Sequence, residues 1–204
     1  DAAKAQLAQA KQQLAAADTE LQGKTAEANE YRLQDPADTT VYDSIQHYDD
    51  NTLNICLPST YHFIDKVVTV IAGYHQAAGA PLTRYHIGAD ETAGAWTGSP
   101  ACQAMMKEQG LTPQKMTPEC IEKGSAILDS KGIEPAGWSD GMGHVDSAHM
   151  PKVVQSNSWG GLFSGGLAEA YGHANRGWEV VMSTPDVLSF AMPQATDPAE
   201  RGYD

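Results

Sequence analysis

Positive charge is scarce. The chain carries 13 lysines and arginines against 26 aspartates and glutamates, a formal charge of −13 at pH 7. Nucleic-acid binding needs a basic face, so that class is excluded, and an anionic membrane surface is disfavoured for the same reason. Long apolar runs are also missing: none reaches the roughly 18 residues that a membrane-spanning helix requires. No signal peptide is visible at Asp1, which leaves the compartment open. Cysteine is sparse. Cys56, Cys102 and Cys120 form no CxxC pair, so the spacing gives no zinc ribbon. One disulfide with a leftover thiol, or three buried thiols, would both satisfy the count. The rest of the composition is ordinary. A hydrophobic share of 41% is usual for a globular protein, and 204 residues suffice for one sizeable core, with or without an appendage.

The first 22 residues differ from the remainder. Ala3, Leu7, Ala10, Leu14, Ala17 and Leu21 recur at steps of four and three, a heptad-like seam on an Ala/Gln/Lys-rich helix. Such a helix either packs its stripe on its own domain or associates with another helix through residues 3–21. Gly23 is expected to end it, and a second helical stretch covers 25–33 before Asp35-Pro36. The polar segment 35–50 reads as loop. We therefore divide the chain into an N-terminal helix, 1–22, and a domain, 23–204.

Beyond Pro58 the pattern becomes regular. Ser59 is a candidate N-cap for a helix carrying Phe63, Val67, Val70, Ile71 and Tyr74, ended by Gly79. A short strand over 83–88 leads into Ala89-Asp90-Glu91. Helices follow over 100–109, closed by Gly110, and from Thr117 to the region of Lys131, closed by Gly132. Strands are expected at 134–138, 153–158 and 179–183. Each ends in a polar or aromatic cluster: Trp138-Ser139-Asp140, Asn157-Ser158-Trp159 and Ser183-Thr184-Pro185-Asp186. Strands alternating with helices imply an α/β fold with a parallel sheet. Functional groups at strand C-termini are the habit of a (β/α)8 barrel, but four strands cannot close one, so the fold is either an open α/β sheet or a piece of a barrel.

Asp90-Glu91 is the central chemical feature. Adjacent carboxylates after a strand point in different directions while the backbone stays extended, so they can take different roles. Repulsion and partial burial would keep one protonated near neutral pH, fit to act as a general acid. A plain helix start would also place acids here, since the first turn favours them.

The surroundings decide between these. His86-Ile87-Gly88-Ala89-Asp90-Glu91 resembles the His-x-Gly-Gly-Asp-Glu signature of glycoside hydrolase family 20, with Ala89 in place of the second glycine. The segment 26–33, Asp35-Pro36-Ala37-Asp38 and 56–79 resemble the stretch before that signature in bacterial chitobiases. Gly137-Trp138-Ser139-Asp140, Val154-Gln155-Ser156 with Trp159, and Ser183-Thr184-Pro185-Asp186 resemble the later strand ends. Asp197-Pro198 with Glu200-Arg201-Gly202-Tyr203 resembles the segment before a late active-site tryptophan. The likeness runs in order over about 24–204.

The resemblance implies the middle and later part of a (β/α)8 TIM barrel with an added N-terminal helix. It implies retaining, substrate-assisted hydrolysis of terminal β-linked N-acetylglucosamine, with chitobiose or other N-acetylhexosamine-terminated glycans as substrates and no metal or organic cofactor. Glu91 would be the proton donor and Asp90 the partner of the substrate's acetamido group. Trp138 and Trp159 would wall the sugar pocket, with His86 and Asp140 as further substrate-binding candidates. A periplasmic or secreted home follows from the same source.

Departures accompany the likeness. Ser189, Ala191 and Ala195 stand where chitobiases show a Tyr-x-Asp-Phe-Pro-x-Glu pattern, and the early strands with their sugar-binding arginine are not within the sequence. We expect no turnover of an aryl N-acetyl-β-glucosaminide by the 204 residues alone. A non-catalytic sugar-binding or interaction module derived from the family is the alternative. A metal-dependent hydrolase using His86, Asp90, Glu91, His144 and His149 fits no closed zinc spacing.

Overall fold

The computed structural model describes residues 2–42, 52–92 and 95–188. The positions Ser189, Ala191 and Ala195, the segment 197–203, and residues 43–50 of the expected loop lie outside the described residues.

A single helix, α1 (Ala2–Glu30), opens the chain. It runs straight through Gly23, where it was expected to end, and absorbs most of the second helical stretch. A helical glycine costs only about 1 kcal/mol relative to alanine. Strong helix formers flank it on both sides, and the Glu20–Lys24 ion pair at 2.7 Å spans it one turn apart. The stripe of leucines is not packed on the domain: Leu7, Leu14 and Leu21 are 57%, 63% and 64% exposed.

The next helix, α2 (Pro58–Ala77), is capped by Leu57 rather than Ser59, with Pro58 in its first turn. The Ser59 hydroxyl instead donates to the Arg32 carbonyl at 2.6 Å, tying α2 to the end of α1. The buried face also differs from the expected one. Val68 is buried against Leu128 and Ile133, with Ile64 and Ala72 beside it, while Val70 and Tyr74 face outward. This helix has apolar residues on two faces, and only the one around Val68 is covered, mainly by α4.

Four strands follow in chain order: β1 (Arg84–His86), β2 (Glu134–Trp138), β3 (Gln155–Ser158) and β4 (Glu179–Met182). They form one sheet in the order β1-β2-β3-β4, with every neighbouring pair parallel. Parallel neighbours need crossovers, and the helices supply them. Between β1 and β2 lie α3 (Pro100–Gln109) and α4 (Met116–Asp129). The short α5 (Ser139–Met142) follows β2, α6 (Gly166–Asn175) joins β3 to β4, and α7 (Pro185–Leu188) follows β4. Helix α4 packs on α2 and β2, and α6 packs on β3 and β4.

Alternation along the strands gives the two sheet faces different chemistry. Tyr85 and Ile87 pack with the helices around Val68, Leu128 and Ile133, and the Ser156 hydroxyl pairs with His173 of α6 at 2.7 Å. The opposite face is polar. Arg84 donates to Glu134 at 2.5 Å and to Glu179 at 2.7 Å, tying β1 to β2 and β4, and Gln155 of β3 also reaches Glu179. His86 and Trp138 lie on this face toward the strand C-termini.

One covalent staple is present. Cys56 and Cys102 form a disulfide that links the segment before α2 to α3, leaving Cys120 as a free thiol.

Candidate active site

The loop leaving β1 is held in an unusual conformation. Gly88, Ala89 and Glu91 have φ values of 75°, 72° and 51°. Glycine adopts this region freely, but an alanine or glutamate pays about 1–2 kcal/mol for it. Neighbours hold the loop there. The Gly88 carbonyl accepts from Trp138 N at 2.9 Å, and the Ile87 N–H donates to the Ala136 carbonyl at 2.8 Å, extending the β1–β2 pairing. Gly141 of α5 lies so close to the Ala89 carbonyl that a Cβ there would sit 2.0 Å from its oxygen. Beyond Glu91, the Thr92 and Thr117 hydroxyls pair at 2.8 Å, fixing the exit of the loop to α4.

The surroundings of Glu91 favour the protonated form of its carboxyl. Its Oε2 is shut off from solvent and has no hydrogen-bond partner. Burial, followed by the nearby charges of Asp90 and then Asp140, pushes its pKa above the ordinary glutamate value. A neutral carboxyl with a free, sheltered oxygen can give its proton to a group placed against it.

Asp140, at the start of α5, uses both its oxygens. Oδ2 accepts the Glu91 backbone N–H at 2.9 Å, and Oδ1 accepts the Trp159 indole N–H at 2.9 Å. The ends of β1, β2 and β3 thus meet at one carboxylate. Trp138 stands edge-on to His86 with ring centroids 5.0 Å apart. The His86 Nδ1 accepts the Gly88 N–H at 3.1 Å, so the neutral ring carries its proton on Nε2. Burial lowers the His86 pKa and so favours that neutral ring, while the charge of Asp90 opposes the shift.

A cavity of about 800 Å³ opens beside β1. It is lined by His86 from the end of β1, Asp90, Glu91 and Thr92 from the loop, Tyr42 from the N-terminal segment, and Phe63 from α2. Trp138 and Trp159 do not line it. The structure therefore gathers all six sequence-derived residues around the strand C-termini, with the two acids facing the cavity and the two tryptophans set toward β2 and β3. Sequence reasoning missed Gly141 and Tyr42. Gly141 follows Asp140 directly, and a glycine just after a strand-end acid is a signal for close backbone approach. No pattern pointed to Tyr42. Among the described residues, no cluster of three or more His, Cys, Asp or Glu could hold a metal ion. His149 pairs instead with Glu122 at 3.0 Å, away from Asp90 and Glu91.

Comparison with known proteins identifies the family. The family model for the glycosyl hydrolase family 20 catalytic domain matches residues 9–204. Beta-hexosaminidase B of Pseudoalteromonas piscicida is 49% identical over 184 residues, covering 89% of this chain and 23% of that protein. The N,N'-diacetylchitobiase of Vibrio harveyi is 35% identical over 216 residues, covering 89% of this chain and 24% of its own length. Among solved structures, the family 20 exo-β-N-acetylglucosaminidase of Vibrio harveyi in complex with N-acetylglucosamine superposes with a TM-score of 0.63 at 34% identity. That alignment covers 84% of this chain and 25% of the other. The chain thus spans about a quarter of the length of the relatives it matches, and its four-stranded parallel sheet is part of a (β/α)8 barrel.

Proposed function

This chain belongs to glycosyl hydrolase family 20, and on that premise we propose that the full-length protein is an exo-acting, retaining β-N-acetylhexosaminidase of the chitobiase type. The observation that carries the proposal is the Glu91 carboxyl, with a buried, partnerless Oε2 and a raised pKa, among the residues lining a cavity of about 800 Å³. A raised pKa keeps more of a carboxyl in the protonated form from which it can donate.

The reaction then runs in two steps. The substrate's acetamido carbonyl oxygen attacks the anomeric carbon as the glycosidic C–O bond breaks, and Glu91 gives its proton to the departing oxygen. The sugar is left as a cyclic oxazolinium ion, and Glu91 as a carboxylate. Water next attacks the anomeric carbon, Glu91 takes its proton, and the ring C–O bond opens to restore the acetamido group. Two displacements at one carbon return the original anomer. Asp90 accepts the acetamido N–H, and its carboxylate offsets the positive charge that builds there. The residues invoked need no metal or organic cofactor.

Terminal N-acetylglucosamine of chitobiose or related glycans is the substrate we infer, which fits the chitobiase named among the relatives. A periplasmic or secreted home is part of the same proposal. The Cys56–Cys102 disulfide supports it, because such bonds persist in oxidising compartments.

The test is product stereochemistry. Full-length protein is mixed with an aryl N-acetyl-β-glucosaminide, whose cleavage releases a single sugar, and that sugar is followed by proton NMR before it mutarotates. The expected product is the β-anomer. An initial α-anomer would exclude the two-displacement route, and binding of N-acetylglucosamine without hydrolysis would select the non-catalytic alternative.

A further inference from the structure

Asp140 matched the family pattern as a candidate sugar ligand, yet its geometry gives it other work. We propose that Asp140 is a positioning residue: its carboxylate ties the Glu91 backbone to the Trp159 indole and so fixes the acid relative to the aromatic groups at the strand ends. This deepens the proposed function and rests on Glu91 being the proton donor.

Three observations support the assignment. Both oxygens are committed to N–H donors at good hydrogen-bonding distance, 2.9 Å each. The two donors come from different strand ends, 49 residues away in one direction and 19 in the other, so one carboxylate joins segments that no local structure connects. The loop it grips is also strained. Glu91 sits at φ 51°, and its N–H would lose its partner if Asp140 turned toward a ligand. Hydrogen bonds to an ionised acceptor are stronger than neutral ones, which suits a carboxylate holding a strained turn.

A substrate ligand and a positioning residue respond differently to substitution. A ligand mainly affects KM, whereas a residue that aims the acid affects kcat. In the full-length protein, Asp140→Asn keeps one acceptor oxygen and swaps the other for a donor. We expect kcat on an aryl N-acetyl-β-glucosaminide to fall about 10-fold with KM changed by less than about 3-fold, and Asp140→Ala to fall about 100-fold. The charged groups raising the Glu91 pKa are Asp90 and Asp140. Removing the second charge therefore moves the basic limb of the kcat/KM profile to lower pH, which a purely structural loss would not do.

Trp159→Phe removes the indole N–H and keeps an aromatic ring, giving an independent arm if the Asp140 variants fold poorly. Its kcat loss and that of Asp140→Asn should be less than multiplicative in the double variant. The proposal is overturned if Asp140→Asn raises KM with kcat unchanged, if the basic limb stays in place, or if the two losses multiply. A Glu91→Gln variant measured alongside separates the failures. Should Glu91→Gln retain activity, the proton-donor assignment beneath the proposal is wrong. Should it lose activity while Asp140 behaves as a ligand, only the positioning role is wrong.

Discussion

Replacing Gly141 by alanine should damage catalysis far more than folding. A Cβ at this position would lie 2.0 Å from the Ala89 carbonyl oxygen and 3.0 Å from its carbon. An ordinary carbon–oxygen contact is about 3.3 Å, so α5 and the acid loop must separate by about 1.3 Å. Helix α5 packs on β2 and β3, whereas the loop is already in left-handed backbone at Gly88 and Ala89. The loop is therefore the side that yields, and it carries Asp90 and Glu91 with it. A misplacement of about 1 Å can cost about 100-fold in rate, while overpacking of this kind costs about 1–3 kcal/mol of stability. We expect kcat of the full-length protein on an aryl N-acetyl-β-glucosaminide to drop about 100-fold, with a cooperative thermal transition retained. Gly73→Ala is the control. It lies inside α2 with nothing within 4 Å of the new methyl, and alanine there should raise stability by about 0.5–1 kcal/mol without changing kcat. A folded Gly141→Ala protein with unchanged kcat would refute the claim that this glycine sets the acid loop.

Two further outcomes follow from the fold. The Cys56–Cys102 bond closes a loop of 46 residues, worth about 4 kcal/mol by chain entropy, so reduction should lower the unfolding midpoint sharply. Thiol titration of the denatured 204-residue chain should give one thiol without reductant and three with it. Asp35 accepts from Ala101 N at 2.9 Å, Ala37 N at 3.0 Å and the Ser99 hydroxyl at 2.9 Å, and the bonds from Ala101, Ala37 and Ser99, in that order, hold its pKa below the usual aspartate value. Its stabilisation is present above the unfolded-state pKa near 4 and is lost as pH falls through the lowered folded-state value. Asp35→Ala should therefore cost about 1–2 kcal/mol at neutral pH and much less in strong acid, as read by denaturant melts at both.

Much of this architecture was legible before any coordinates. The strand 134–138 is found with the expected bounds, and Gly79, Gly110 and Gly132 all follow helix ends in left-handed backbone. Those features are set by a few neighbouring residues, which is the range over which sequence patterns speak. Gly23 misled because a glycine's helix penalty is small against the formers around it. Ser59 misled because its hydroxyl found a better acceptor 27 residues away. The face of α2 depended on which side α4 covers, and periodicity cannot choose between two apolar stripes. At the site, the residue types and their order were readable from the strand ends. The bridge through Asp140 was not, because it joins three loops distant in sequence. Nor was the contact of Gly141 with Ala89, since a missing side chain leaves no pattern to read.

The central claim is that Glu91 protonates the leaving group, and leaving-group dependence in Glu91→Gln tests it most directly. Hydrolysis of a glycoside with an alkyl leaving group, which cannot depart without a proton, should fall by about 100- to 10,000-fold. A dinitrophenyl glycoside, whose leaving group departs as a stable anion, should lose much less in the step that expels it. Equal losses on both substrates, or activity on the alkyl glycoside near that of the parent protein, would contradict the account.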